Sequence, residues 1–166
     1  MTMAKATTNG IVPMGVVAVK EKIYDTIVNS APEGVIEMFH GYTYSGIPVA
    51  VAAALAVQDI FEKEDIFNRA KNLSSYFLDG LFSLKDIDCV ENIRGYGLMG
   101  GIDIKQSDRP GKAGFQAYKK CYELGVNFKA TGDCLIIAPP FICEKKHIDE
   151  IIEKLRKGIS DYSKSK

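Results

Sequence analysis

Four places in the sequence hold residue types that could do chemistry. Lys5 is flanked by small and hydroxylated neighbours, Ala4, Ala6, Thr7, Thr8, Asn9 and Gly10. An amine of this kind is a potential nucleophile or proton carrier, although a lone lysine in a polar loop is ordinarily just solvated. His40 lies in Phe39-His40-Gly41-Tyr42-Thr43-Tyr44-Ser45, a stretch crowded with rings and hydroxyls that reads as an interface loop or a ligand loop rather than as part of a catalytic triad. Gly95-Tyr96-Gly97-Leu98-Met99-Gly100 has the G-x-G-x-x-G spacing of a dinucleotide fingerprint. That fingerprint must open a helix and be followed about 20 residues on by an acid. Here Gly100-Gly101 runs into the strand-like Ile102-Asp103-Ile104 and Phe115 occupies the distant position, so a glycine-rich hairpin is the better account. Cys143 and His147 are spaced i, i+4 at a helix start, but a metal site needs three or four ligands and no other histidine is near in sequence. No metal is expected, and His147 reads as a solvated helix residue.

The elements that must position these residues belong to a chain of 166 residues, enough for one domain with a proper core, or one domain and a piece of another. Hydrophobic residues make up 46% and charged residues 25%, with a formal net charge of +0. This balance carries no basic stripe for nucleic acid. The longest apolar run, 47–57, is too short to span a bilayer and contains Pro48, and the N-terminus has no secretory pattern. Four scattered cysteines without a CxxC read as free thiols in a reducing cytoplasm.

Residues 1–13 have no period and read as a loop, followed by a strand over 14–19 and a helix over 20–29 with Ile23, Tyr24, Ile27 and Val28 on one face. Breakers at Pro32, Gly34 and Gly41 make 30–45 irregular. Residues 49–57 are apolar at every position, which predicts a helix buried on all sides that runs on to about residue 63. A half-buried helix comes next, with Ile66, Phe67, Ala70, Leu73, Phe77 and Leu81 at helical spacing. This change of texture predicts a domain boundary near 60–65. Beyond it, strands at 89–94 and 98–104, a helix at 112–124 with Gly125 as its cap, strands at 126–128 and 134–138 around Thr131-Gly132-Asp133, and an amphipathic helix at 145–159 predict a small α+β domain with helices on one face of a sheet. The tail from Ser160 is expected to fray.

Four of these segments together resemble class III pyridoxal-phosphate-dependent aminotransferases. Met3-Ala4-Lys5-Ala6-Thr7-Thr8-Asn9-Gly10 with Pro13-Met14-Gly15 resembles the family's lysine segment. His40-Gly41-Tyr42-Thr43-Tyr44-Ser45-Gly46 with Pro48 resembles its HG-[FY]-T-[YF]-S-x-HP loop, Arg94-Gly95-Tyr96-Gly97-Leu98-Met99 its RG-x-GLM hairpin, and Thr131-Gly132-Asp133 with Ala138-Pro139-Pro140 its GD-x-[LI]-x-x-[AS]-PP segment. They occur in family order over essentially the whole chain, with the flavour of the ω-amino acid (β-alanine):pyruvate subgroup.

The resemblance implies an α/β fold type I pyridoxal-phosphate-dependent transferase, represented here by the end of the large domain over 1–62 and the small C-terminal α+β domain over 63–166. It implies that Lys5 is the catalytic lysine, holding pyridoxal 5'-phosphate as a Schiff base and then shuttling a proton at the substrate carbon. Tyr42 and Thr43 would bind the cofactor phosphate of the neighbouring subunit of a homodimer. An ω-amino acid or amine would be the amino donor and a pyruvate-type keto acid the acceptor, with the donor not identified. Two positions depart from the pattern. Ile47 stands where the family has His before the loop proline, and Lys129 stands where the family has the arginine that clamps the substrate carboxylate. Lysine offers a point charge where arginine offers a planar fork.

By the same resemblance, the glycine/serine turn at the phosphate, the aromatic on the ring and the aspartate at the ring nitrogen precede the segment matched here. Three readings are open: a transaminase portion that works with a separate N-terminal half, a non-catalytic remnant, or an interaction module built on the small domain. In all three the chain alone is expected to lack transaminase turnover.

Overall fold

The computed structural model describes residues 1–165. The chain divides into two compact units, Met1–Asp65 and a second beginning at Ile66.

The first unit opens with a small antiparallel hairpin, β1 (Thr2–Ala4) against β2 (Gly15–Val17), in the register Thr2↔Val17, Met3↔Val16, Ala4↔Gly15. The sequence predicts the second strand but not the first; three residues are too few to carry a period, and their pairing is set from across the loop. The strand expected over 14–19 is shorter, Gly15–Val17, and pairs with β1. Helix α1 (Glu21–Asn29) follows, then a 3-10 turn at Tyr42–Tyr44 and helix α2 (Pro48–Lys63), which has Pro48 at its first turn where a missing N–H costs nothing.

Helix α1 keeps its amphipathic stripe but buries none of it: Ile23 and Tyr24 are 50% and 59% exposed. Helix α2 is likewise not buried on every side. Ala50 and Val57 are buried, whereas Val49 and Leu55 are 61% and 63% exposed. Two three-residue strands and a nine-residue helix offer too little apolar surface to wrap a sixteen-residue helix.

The second unit holds the core. Helix α3 (Ile66–Phe82) ends in a 3-10 turn at Ser83–Asp86 and leads into strands β3 (Val90–Tyr96) and β4 (Met99–Ile104). Helix α4 (Lys112–Glu123), strands β5 (Lys129–Thr131) and β6 (Cys134–Ile137) and helix α5 (Lys145–Lys164) complete it. The four strands form one antiparallel sheet in the order β3-β4-β6-β5. Alternation puts Ile102, Ile104, Leu135 and Ile137 on the face toward the helices, where they meet Phe77 and Leu81 of α3, Ala117 and Cys121 of α4, and Ile148, Leu155 and Ile159 of α5. Each fully buried large aliphatic or aromatic side chain contributes about 1.5–3 kcal/mol of transfer free energy.

Two details differ from the periodicity. The strand expected at 126–128 lies at Lys129–Thr131, because pairing with β6 sets its place: Lys129↔Ile136, Ala130↔Leu135, Thr131↔Cys134. Helix α5 does not fray at Ser160 but continues to Lys164, since Tyr162 is buried and extends the stripe of Ile148, Leu155 and Ile159.

The glycine-rich segment is a hairpin, with Gly95 opposite Gly100 and Gly97 at φ +59° in the turn. Its glycines serve packing. A Cβ on Gly95 would stand 2.5 Å from Leu78 Cδ2, and one on Gly100 would run into Leu81, so both let α3 lie close on the strands.

Candidate functional site

Lys5 begins the turn that leaves β1. Its φ of +58° lies in the left-handed region, unusual for a residue with a Cβ and worth about 1–2 kcal/mol of strain. The surrounding turn holds it there. The carbonyl of Lys5 accepts the N–H groups of Thr8 and Gly10, both at 3.3 Å, and Asn9 and Gly10 also have positive φ, at +50° and +78°. Thr8 is 1% exposed, and its hydroxyl donates to the Val12 carbonyl at 2.6 Å, closing the loop from inside. The Lys5 side chain is exposed. Beside it the hydroxyl of Thr7 is buried without a hydrogen-bond partner among the described residues.

Tyr42 and Thr43 share the 3-10 turn, and both are exposed. The Thr43 N–H is already used, donating to the Gly41 carbonyl at 2.8 Å, but its hydroxyl faces solvent. The rings of His40 and Tyr42 lie 4.3 Å apart, which orders this loop around its aromatics.

Lys129 opens β5 in the second unit and is exposed. It lines a cleft of about 520 Å³ together with Asn127, Ala138, Pro139, His147 and Lys154. On the same wall Lys154 is paired with Glu150 at 2.5 Å, so its charge is compensated there. The Nδ1 atom of His147 accepts the Glu144 N–H at 3.0 Å as half of a capping box for α5, so the histidine closes a helix end. The Glu144 carboxyl is held below its ordinary range by the hydrogen bond from Lys146. The four site residues named from sequence thus lie on three separate segments, of which only Tyr42 and Thr43 share one turn.

A second polar cluster, not foreseen from sequence, lies on the sheet face opposite the helices. Arg94 is paired with Asp103, and its other Nη donates to Cys134 Sγ at 3.3 Å. The Asp103 carboxyl is lowered chiefly by the Arg94 hydrogen bond, and the Cys134 thiol is raised by burial. Its members stand on neighbouring strands with side chains on one face, a relation that appears only once the register is known.

Residues 1–159 match the family model described as Aminotransferase class-III. The omega-aminotransferase of Caulobacter vibrioides is 40% identical over 156 residues, which is 93% of this chain and 35% of that protein. The beta-alanine–pyruvate aminotransferase of Pseudomonas aeruginosa is 37% identical over 162 residues, 96% of this chain and 36% of that one. Among solved structures, a transaminase with L-alanine superposes with a TM-score of 0.91 at 27% identity, over 99% of this chain and 40% of that chain. A thermostable (S)-enantioselective omega-transaminase from Thermomicrobium roseum gives 0.85 at 32% identity, over 97% and 37%. The chain therefore spans a little over one third of the length of these relatives.

Proposed function

The chain belongs to the class III aminotransferase family, and on that premise we propose that it is the C-terminal portion of a pyridoxal-phosphate-dependent transaminase that passes an amino group from an ω-amino acid or amine to a pyruvate-type keto acid. The match across residues 1–159, which contains Lys5 in its strained turn, carries the reading. The acceptor is suggested by the pyruvate in the name of the Pseudomonas relative.

The residues present fit the two ends of the cofactor. An exposed amine on a rigid turn suits its aldehyde, and an exposed hydroxyl on the 3-10 turn suits its phosphate. When bound, the cofactor supplies an electron sink for the substrate carbon. Lys5 Nζ would hold the cofactor and, as a free amine, take and return the proton at that carbon. Thr43 Oγ1, with Tyr42 beside it, would donate to the phosphate of a neighbouring subunit, and the Lys129 ammonium would attract the substrate carboxylate. By the family resemblance, the contacts to the cofactor ring would come from residues outside the matched segment.

Exposed apolar side chains support the view that more chain completes this unit. Ile23 and Tyr24 of α1 and Val49 and Leu55 of α2 are large apolar side chains left exposed here, and such side chains in number are the kind of surface an interface covers. The covering part would be a separate N-terminal half, a homodimer partner, or both, and the free thiols suit a cytoplasmic setting. A specific observation favours a second reading, a non-catalytic or interaction module: the second unit has a complete core of its own and the first has almost none.

Borohydride trapping separates them. The chain is incubated with one equivalent of pyridoxal phosphate, reduced, digested and mapped by mass. Adduct concentrated on the Lys5 peptide supports the transaminase reading; equal labelling of Lys5, Lys20 and Lys22 supports the module. No pyruvate-dependent turnover is expected from the chain alone.

A further inference from the structure

We infer that Asp133 is the positioning residue for Lys129, a step that rests on the proposed role of Lys129 as the carboxylate anchor. Asp133 lies in the turn between β5 and β6, yet its carboxylate reaches neither strand. Oδ2 accepts the Gly111 N–H at 2.8 Å and Oδ1 accepts the Gly114 N–H at 3.0 Å. Gly114 lies in the first turn of α4, whose N–H groups have no partner within the helix, and Gly111 is the residue just before the helix, a glycine with no side chain to cap it. One carboxylate thus caps a helix from a distance in sequence, with its two oxygens each taking one donor and its charge at the positive end of the helix dipole.

Steric fit repeats the same junction. A Cβ on Gly114 would stand 2.5 Å from the Gly132 carbonyl oxygen and 2.8 Å from Asp133 Cα, so the helix and the turn can meet only at a glycine. Gly111 and Gly132 both have positive φ, at +79° and +59°. The turn is therefore locked to α4 by a polar clasp and by contact.

The consequence falls on β5. This strand is three residues long and lies at the edge of the sheet, with β6 on one side only. A short edge strand frays easily. The Asp133 turn ties down the end that follows Thr131, and Lys129 is the strand's first residue, two positions before Thr131, lining the cleft beside Ala138 and Pro139. Loosening the clasp lets the strand drift and takes the Lys129 amine with it.

The test uses the 166-residue chain, with amide hydrogen exchange followed residue by residue. D133N keeps the shape but replaces one acceptor by a donor that faces an N–H; G114A leaves Asp133 intact and forces the turn off the helix. In both variants the amides over 129–137 should exchange about tenfold faster or more, while those of α5 from Ile148 to Ile159 change little. Unchanged exchange over 129–137, or the same acceleration in α5, overturns the inference. A parallel titration with pyruvate, read on the β5 amides, should be weakened in D133N and lost in K129A. Equal titration of wild type and K129A would remove Lys129 from carboxylate binding without altering the exchange result, so the two failures are distinguishable.

Discussion

Gly158 of α5 lies against Cys121 of α4 so closely that a Cβ on the glycine would stand 2.6 Å from the cysteine sulfur and 2.9 Å from its backbone nitrogen. The obstruction is helix backbone, which cannot swing aside. G158A should therefore push the two helices apart and cost about 1–3 kcal/mol. Urea unfolding should show a lower midpoint with an unchanged slope. A midpoint within error of wild type would mean that α4 and α5 pack more loosely than this contact requires.

The same packing predicts the order in which thiols react. Cys121 is 0% exposed, and burial pushes its thiol up to about 12, while Cys89 is also buried. The thiolate is the reactive form. A disulfide reagent at pH 8 should modify the half-buried Cys134 and Cys143 first and leave Cys121 untouched until the chain unfolds. Mass mapping of a time course checks this, and early labelling of Cys121 would contradict the fold of the second unit.

Helices with long stripes were legible in the sequence because burial on one side leaves a period. Ile148, Leu155 and Ile159 announce α5, and Leu73, Phe77 and Leu81 announce α3. The hairpin at Gly95–Gly100 was legible because Gly101–Ile104, directly after it, alternates like a strand. Features set by distant partners were not. Thr2–Ala4 becomes a strand only beside Gly15–Val17, and β5 falls at Lys129 rather than Val126 because β6 fixes its register. At the candidate site, Lys5, Tyr42, Thr43 and Lys129 were reached by resemblance to a family. The left-handed backbone of Lys5 leaves no local trace, and Asp133 reads as an ordinary turn residue because the amides it caps lie 19 and 22 positions away.

Asp103 gives the second unit an acid-sensitive contact. Its carboxyl is held below the ordinary value of 3.8 mainly by the Arg94 hydrogen bond, so the ionised form is favoured in the folded chain. A group depressed in this way stabilises the fold fully above the unfolded value and loses that contribution as pH falls through the folded one. Wild type should therefore lose stability from about pH 4 downward through this pair. D103N should be less stable at neutral pH and show a flatter profile in that acidic window. Parallel denaturation series at several pH values read the difference, and equal slopes for the two proteins would show that Arg94 does not discriminate the charge.

Lys129 supplies the most direct test of the carboxylate anchor. It is exposed at the start of β5, so an arginine can be accommodated without repacking. Lysine meets a carboxylate as a rotating point charge, whereas arginine presents two parallel N–H groups that match the two oxygens. If the β5 end of the cleft receives the carboxylate, K129R should tighten pyruvate binding by about threefold to tenfold, the gain of one further charge-assisted hydrogen bond after its ordering cost. In a full-length transaminase of which this chain is proposed to be the C-terminal portion, the same substitution should lower the KM for the keto acid more than it changes kcat. The isolated chain reports the affinity alone, through the β5 amide shifts on titration. An unchanged affinity in K129R, with K129A equally unaffected, would move the anchor elsewhere and leave Lys129 as a solvated edge residue.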